Sequence, residues 1–179
     1  ANHAQIDEAF KADHWFSTGD VGYIDADGDF TISGRSRERF KIEGDMYSPD
    51  DFDQRLTRFL PIKDSITFAY QPGTDQERVV SIVLLNKDAA GETEESLKQK
   101  LAERVSAGET SRRYIPPFIL PLAKDSFPPE IMPPTGKKIY NGARAYLARM
   151  IEEGAVEFSD TGKNRDRDNK IVIKHQDKL

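Results

Sequence analysis

The sequence contains no cysteine, which excludes a disulfide scaffold, a thiolate metal site and a cysteine nucleophile. Histidine is scarce. His3, His14 and His175 stand near the two ends, too far apart to suggest a zinc site or a Ser-His-Asp triad. No apolar run approaches the ~18 residues of a membrane-spanning helix, and the opening ANHAQIDEAF lacks the regions of a signal peptide. Positive charge is not concentrated either: 26 Lys plus Arg face 31 Asp plus Glu, a net of -5, and the part up to Leu60 is the acidic one. Without a basic stripe, nucleic acid is not an expected partner. These absences point to a cytoplasmic chain with no transmembrane segment.

What is present is enough to fold. The 179 residues correspond to about one domain, with 37% apolar and 32% charged residues. Residues 21–33 read as a β-hairpin around a turn at Asp25-Ala-Asp-Gly28. Asp25, Asp27 and Asp29 resemble the opening of a calcium loop, but Ser36 stands where the closing glutamate belongs, so no metal site is expected. A short strand is expected at 40–42. A helix should follow over 49–60, with Ser48 as its cap, Pro49 in its first turn and Phe52, Leu56, Phe59 and Leu60 as its apolar stripe. Strands are expected at 65–70 and 79–85, a helix at 94–106 carrying Leu97, Leu101 and Val105, and an extended edge segment at 115–122. After a proline-rich loop at 127–134 comes a helix with Ala143, Tyr146, Leu147, Met150 and Ile151 at core spacing. The tail from Phe158 is mixed in charge and expected to be mobile, apart from a strand-like 171–173. The order is a hairpin, then β-α-β-β-α-β-α: a compact α+β fold, with a small mixed or antiparallel sheet packed with helices.

Three segments carry chemistry when taken together. The first is Trp15-Phe-Ser-Thr-Gly-Asp20-Val-Gly-Tyr. The second is Asp27-Gly-Asp-Phe-Thr-Ile-Ser-Gly34-Arg35-Ser-Arg37, running into Phe40-Lys41-Ile-Glu-Gly44. The third is Pro133-Pro-Thr135-Gly136-Lys137-Lys-Ile. In this order they resemble the C-terminal portion of the adenylate-forming superfamily, which holds acyl- and aryl-CoA synthetases, luciferases and the adenylation domains of peptide synthetases. The resemblance runs from about Trp15 to Ala148, and it rests on the ordered set; Thr-Gly-Asp or Thr-Gly-Lys alone would carry nothing.

The resemblance implies a role for each matching position. Asp20 corresponds to the ribose-binding aspartate, since a carboxylate can accept from two vicinal hydroxyls. Arg35 corresponds to the arginine that approaches the nucleotide with a planar fork of donors. Lys137 corresponds to the lysine of the adenylation step, where a cation stabilises charge building on carboxylate and phosphate oxygens. Lys138 competes with it: the family pattern is Thr-Gly-Lys followed by a hydrophobic residue, and a slip of one position would exchange the two lysines. A second Thr161-Gly-Lys163 sits in the charged tail and is expected to be a decoy. Lys41 is implied in the second half-reaction, Gly44 in the path of a pantetheine thiol, and Arg37 stands at the family's hinge, where Asp or Lys is usual.

The resemblance divides the chain into the end of a large N-terminal lobe with the hairpin (1–34), a C-terminal lid domain (35–155) and a charged tail (156–179). It implies an AMP-forming ligase using ATP with Mg2+, a small-molecule carboxylic acid, and a thiol of coenzyme A or of a carrier protein's phosphopantetheine. Gly44-Asp45-Met46 is similar to a form in ligases for long fatty acids, implying a fatty acyl substrate. Neither the phosphate loop nor the acyl pocket of the large lobe is in this sequence, so the chain alone is expected to lack turnover. The competing expectation is a free-standing, non-catalytic α+β module that docks on a protein partner.

Overall fold

The computed structural model describes residues 15–42, 44–71, 73–74, 77–159, 170–175 and 179. The first element is a hairpin of β1 (Asp20–Ile24) and β2 (Phe30–Arg35), antiparallel with an irregularity between Val21 and Gly22. One oxygen of Asp25 accepts the backbone N–H groups of Asp27 and Asp29 at 3.0 and 2.9 Å, so this acid is used in shaping the turn. The hairpin buries little: Tyr23, Ile24, Phe30 and Ile32 all stay exposed.

Past a short 3-10 turn, β3 (Phe40–Ile42) pairs with β4 (Asp45–Tyr47), a second small hairpin of which the sequence reading anticipated only the first strand. Helix α1 (Pro49–Phe59) begins as expected, except that Ser48 makes no side-chain capping bond. Its hydroxyl is buried against Gly34 instead: a Cβ built on that glycine would stand 2.5 Å from Ser48 Oγ.

The body of the fold is a three-stranded mixed sheet in the order β5-β6-β7, from β5 (Ile62–Tyr70), β6 (Arg78–Leu85) and β7 (Phe118–Leu122). β5 and β6 are antiparallel; β7 is parallel to β6 and reached through α2 (Glu94–Ser106). A parallel neighbour requires a crossover of this length, and the helix supplies it. Thr93 and Ser96 start α2 with reciprocal side-chain-to-backbone bonds. Alternation along the strands sends one set of side chains to each face. Val83, Leu85 and Ile119 meet Leu56 of α1, Leu60 just past its end, and Leu97 and Leu101 of α2. Ile66, Phe68, Val80, Ile82 and Leu120 meet the opposite layer, α3 (Tyr140–Glu152), through Ala143, Tyr146, Leu147 and Met150. The result is helices on both sides of a small sheet, the α+β arrangement expected.

Of the tail expected to be mobile, 160–169 lies outside the described residues; the strand expected at 171–173 is present, and it has a partner strand that was not expected. β8 (Val156–Ser159) pairs antiparallel with β9 (Lys170–Ile173), Ile171 and Leu179 are buried, and the Tyr146 hydroxyl donates to the Leu179 carbonyl at 3.0 Å. The reason is apolar burial in the α3 layer, which the charged neighbours hide in the sequence. The second Thr-Gly-Lys, at 161–163, lies outside the described residues, as do His3 and His14.

Candidate functional site

Asp20 opens β1 and Arg35 closes β2, and the register sets them opposite each other. Arg35 Nε lies 2.9 Å from Asp20 Oδ1, and Arg35 Nη1 donates to the Thr18 carbonyl at 2.6 Å. The Asp20 N–H donates to Thr18 Oγ1 at 3.1 Å, fixing the approach to the strand. Neither ionic side chain is buried, so the pair can open toward a polar ligand. It borders a cavity of about 220 Å³ that Ser48, Asp50 and Tyr140 also line. Burial, followed by the carboxylates of Asp50, Asp53 and Glu38, pushes the Tyr140 hydroxyl well above its ordinary value, which keeps it a neutral donor.

Gly34, just before Arg35, has φ +132°, a conformation open to glycine, and its α-carbon faces Ser48. Arg37 lies in the 3-10 turn Ser36–Glu38. On one side of it Arg35 is tied to the hairpin. On the other, Glu38 Oε2 accepts from Arg144 Nη2 of α3 at 2.9 Å. The same guanidinium donates to the Ala69 carbonyl at 2.9 Å and to Asn141 Oδ1 at 2.8 Å, so Glu38 is bound to the body of the fold. Between these two anchorages the chain passes from hairpin to body through Ser36, whose N–H donates to the Gly19 carbonyl at 2.8 Å, and Arg37.

The loop before α3 separates the two adjacent lysines. Its turn is closed by the Gly136 N–H donating to the Pro133 carbonyl at 2.9 Å, and it re-enters the fold where the Ile139 N–H meets the Ile131 carbonyl at 2.8 Å. Lys137 is exposed and has no ion-pair partner among the described residues. Lys138 turns inward, its Nζ 2.9 Å from Asp64 Oδ1 on β5 and 3.3 Å from Asp53 Oδ2 on α1. Lys41 is exposed on β3 opposite Met46. Gly44 makes the turn into β4 with φ +96°, and a Cβ there would meet nothing within 4 Å, so the turn itself calls for glycine. Thus Asp20 and Arg35 are brought together, while no bond among the described residues joins either Lys41 or Lys137 to them.

Asp53 escaped the sequence reading. It is buried at 5% exposure, and its Oδ1 accepts from Ser65 Oγ at 3.0 Å and Thr67 Oγ1 at 2.8 Å. A hydroxyl has one proton, so Thr67, having given its own to Asp53, accepts from Ser81 at 2.7 Å. Burial pushes the Asp53 carboxyl up to about 6, against the pull of Lys138, Thr67 and Ser65. Burial also opposes the Lys138 charge, but Asp53 and Asp64 outweigh it and hold the ammonium above its ordinary value. The signal was available: Ser65 and Thr67 alternate with the apolar Ile66 and Phe68 in β5, which marks a polar partner on that face.

No family model matches the chain. The nonribosomal peptide synthetase acyN of Ascocoryne sarcoides is 32% identical over 127 residues, covering 68% of this chain and 13% of that protein. The sulfoacetate–CoA ligase of Cupriavidus necator is 32% identical over 108 residues, 60% of this chain and 21% of that protein. Among solved structures, ATP-bound MatB from Rhodopseudomonas palustris superposes with a TM-score of 0.62 at 22% identity, over 80% of this chain and 26% of MatB. The chain therefore spans about a fifth or less of the length of these two curated relatives.

Proposed function

The chain belongs to the adenylate-forming superfamily and has the fold of its C-terminal domain, and from that premise we propose that it is the moving lid of an ATP-dependent carboxylic acid ligase. Residues 1–34 then belong to the end of a large lobe, 35–155 form the lid and 156–179 its tail. In the first half-reaction a carboxylate oxygen attacks the α-phosphorus of ATP, the bond to the β-phosphate breaks, and pyrophosphate leaves with the Mg2+ that accompanied ATP as substrate. Among the described residues no cluster of His, Asp or Glu is set to hold a metal. Asp20 accepts hydrogen bonds from the ribose hydroxyls, Arg35 donates to nucleotide oxygens, and Lys137 stabilises the charge that develops as the adenylyl group transfers.

In the second half-reaction the thiol of coenzyme A or of a carrier protein's phosphopantetheine attacks the acyl carbonyl, and AMP leaves. Rotation about Ser36 and Arg37 replaces Lys137 at the site by the β3–β4 hairpin, bringing Lys41 and Gly44 to the thiol. The acid is a fatty acid in this reading, on the strength of Gly44-Asp45-Met46, and the whole enzyme works in the cytoplasm. The observation that carries the proposal is the arrangement around Arg37: the paired Asp20 and Arg35 sit on its hairpin side, and Lys41 and Lys137 sit on its body side.

The exposed Tyr23, Ile24, Phe30 and Ile32 favour a large covering body for the hairpin. They also suit the second reading, a non-catalytic module that docks on a protein partner. Pyrophosphate release by the full-length protein, measured against a panel of carboxylic acids, separates the two. Lys137→Ala should abolish adenylation, whereas Lys41→Ala should spare it and slow transfer to the thiol. If no acid is turned over and neither lysine matters, the module reading replaces the ligase.

A further inference from the structure

Lys137 can act only from a backbone that is held in place, and the geometry next to it shows what holds it. The loop is a short stretch of irregular chain with the proline-rich segment on one side and α3 on the other. Its backbone bonds fix the turn at Gly136 and the exit at Ile139, but Lys137 and Lys138 lie between them. There the restraint is a side chain. Lys138 reaches into the body and meets two carboxylates from two elements, Asp53 of α1 and Asp64 of β5.

These carboxylates are themselves fixed. Asp53 is held by Ser65 and Thr67, and Asp64 Oδ1 accepts the Ser65 N–H at 2.8 Å. Such an anchorage is more than a surface ion pair, because Asp53 is nearly excluded from water and has no alternative solvent partner. With Lys138 drawn inward, the neighbouring Lys137 is left pointing outward and exposed.

We propose that Lys138 is a positioning residue for the adenylation step: its ion pairs with Asp53 and Asp64 fix the backbone from which Lys137 reaches the reacting phosphate. The proposal rests on the reading of Lys137 as the adenylation lysine. The two adjacent lysines therefore divide one task, Lys137 supplying the charge and Lys138 the place from which it acts. A misplacement of about 1 Å is enough to lower a rate about a hundredfold, so the anchorage has room to matter.

The test uses the full-length protein with Lys138→Met and with the double variant Asp53→Asn/Lys138→Met. The single variant leaves a buried carboxylate unpaired and loses stability; the double variant removes that carboxylate charge and regains it. A positioning role predicts that both lower kcat for acid-dependent ATP–pyrophosphate exchange about tenfold or more, with KM for ATP nearly unchanged. Thiol transfer from preformed acyl-AMP should stay within about twofold. Amide hydrogen exchange at residues 136–139 should quicken in both variants.

A double variant that recovers stability and exchange activity together would show Lys138 to be structural only, and overturns the proposal. So does unchanged amide exchange in the loop. If the wild-type protein makes no acyl-AMP while the loop amides still quicken on Lys138→Met, the clamp exists but the reading of Lys137 has failed, and its catalytic purpose falls with it.

Discussion

The carboxylate of Glu94 accepts the backbone N–H of Ile171 at 2.6 Å, joining the first residue of α2 to a strand 77 positions further along the chain. Its other oxygen accepts the Ile119 N–H of β7 at 2.9 Å and lies 2.9 Å from Lys98 Nζ. One buried acid thus holds α2, β7 and β9 together. Burial raises its titration point, with Lys98 and the two backbone donors opposing the shift. Glu94→Ala should cost about 3 kcal/mol, because two buried backbone amides lose their acceptor and the Lys98 ammonium, still held by the Pro117 carbonyl, loses its counter-charge. Glu94→Gln retains one carbonyl acceptor and should cost less. Denaturant unfolding gives the stability, and faster exchange of the Ile171 amide would show that β9 loosens first; an unchanged Ile171 amide would contradict this account.

Gly142 sets up an opposite kind of test, since helix propensity and packing predict different signs. Replacing glycine by alanine inside a helix ordinarily gains up to about 1 kcal/mol. Here the new methyl would stand 1.7 Å from the Glu130 carbonyl oxygen, a backbone atom that cannot swing aside. Overpacking of this sort costs about 1–3 kcal/mol, so Gly142→Ala should be a net loss and lower the melting temperature. Because Glu130 belongs to the segment that leads into the Lys137 loop, adenylation should fall as well. A melting temperature above wild type would mean that the loop yields freely.

The fold was legible where local pattern and burial agree. The stripe Phe52, Leu56 and Leu60 and the series Ala143, Tyr146, Leu147 and Met150 mark faces that are buried in the structure. The elements that escaped are short and held by distant partners. β4 has three residues and pairs only with β3. β8 has four residues and pairs with β9, whose strand at 171–173 was expected although its tie to Glu94 was not, and the inward turn of Lys138 depends on an aspartate 85 positions away. No local pattern encodes such contacts. The site was legible in part for the same reason. The motifs carrying Asp20 and Arg35 stand out in the sequence, but their pairing follows from a strand register that includes an irregularity at Val21 and Gly22.

At the joint between hairpin and body, the prediction concerns backbone freedom and not the side chain of Arg37. Proline at this position would fix its own φ and push Ser36 toward extended conformations. Ser36 now belongs to a 3-10 turn, so Arg37→Pro disfavours the present arrangement. In the full-length protein the ratio of the two half-reaction rates should change about tenfold or more, while Arg37→Ala leaves it near wild type. Separate assays of pyrophosphate exchange and thiol transfer read this ratio directly. Equal effects of the two substitutions would place the pivot elsewhere.

The buried pair of Asp53 and Lys138 makes stability depend on pH with a definite sign. Asp53 titrates near 3.8 in an unfolded chain and at about 6 in the fold, because burial outweighs Lys138 and the Thr67 and Ser65 hydroxyls. The folded state therefore holds the proton more tightly. This contribution to stability is complete below 3.8 and is lost as pH rises through about 6, at most about 3 kcal/mol for such a shift. Asp53→Asn should flatten that window. Lys138→Met acts the other way: it removes the charge that favours the Asp53 carboxylate, raises its titration point further and extends the decline above pH 6. Asp64 stays nearby and adds its own repulsion once the ammonium is gone. The stability gap between wild type and Lys138→Met should accordingly widen from pH 5 to pH 8, as urea unfolding at several pH values would record. A gap of constant size would mean that Asp53 is not the group that senses Lys138, and the ion pair would then owe its stability to Asp64 alone.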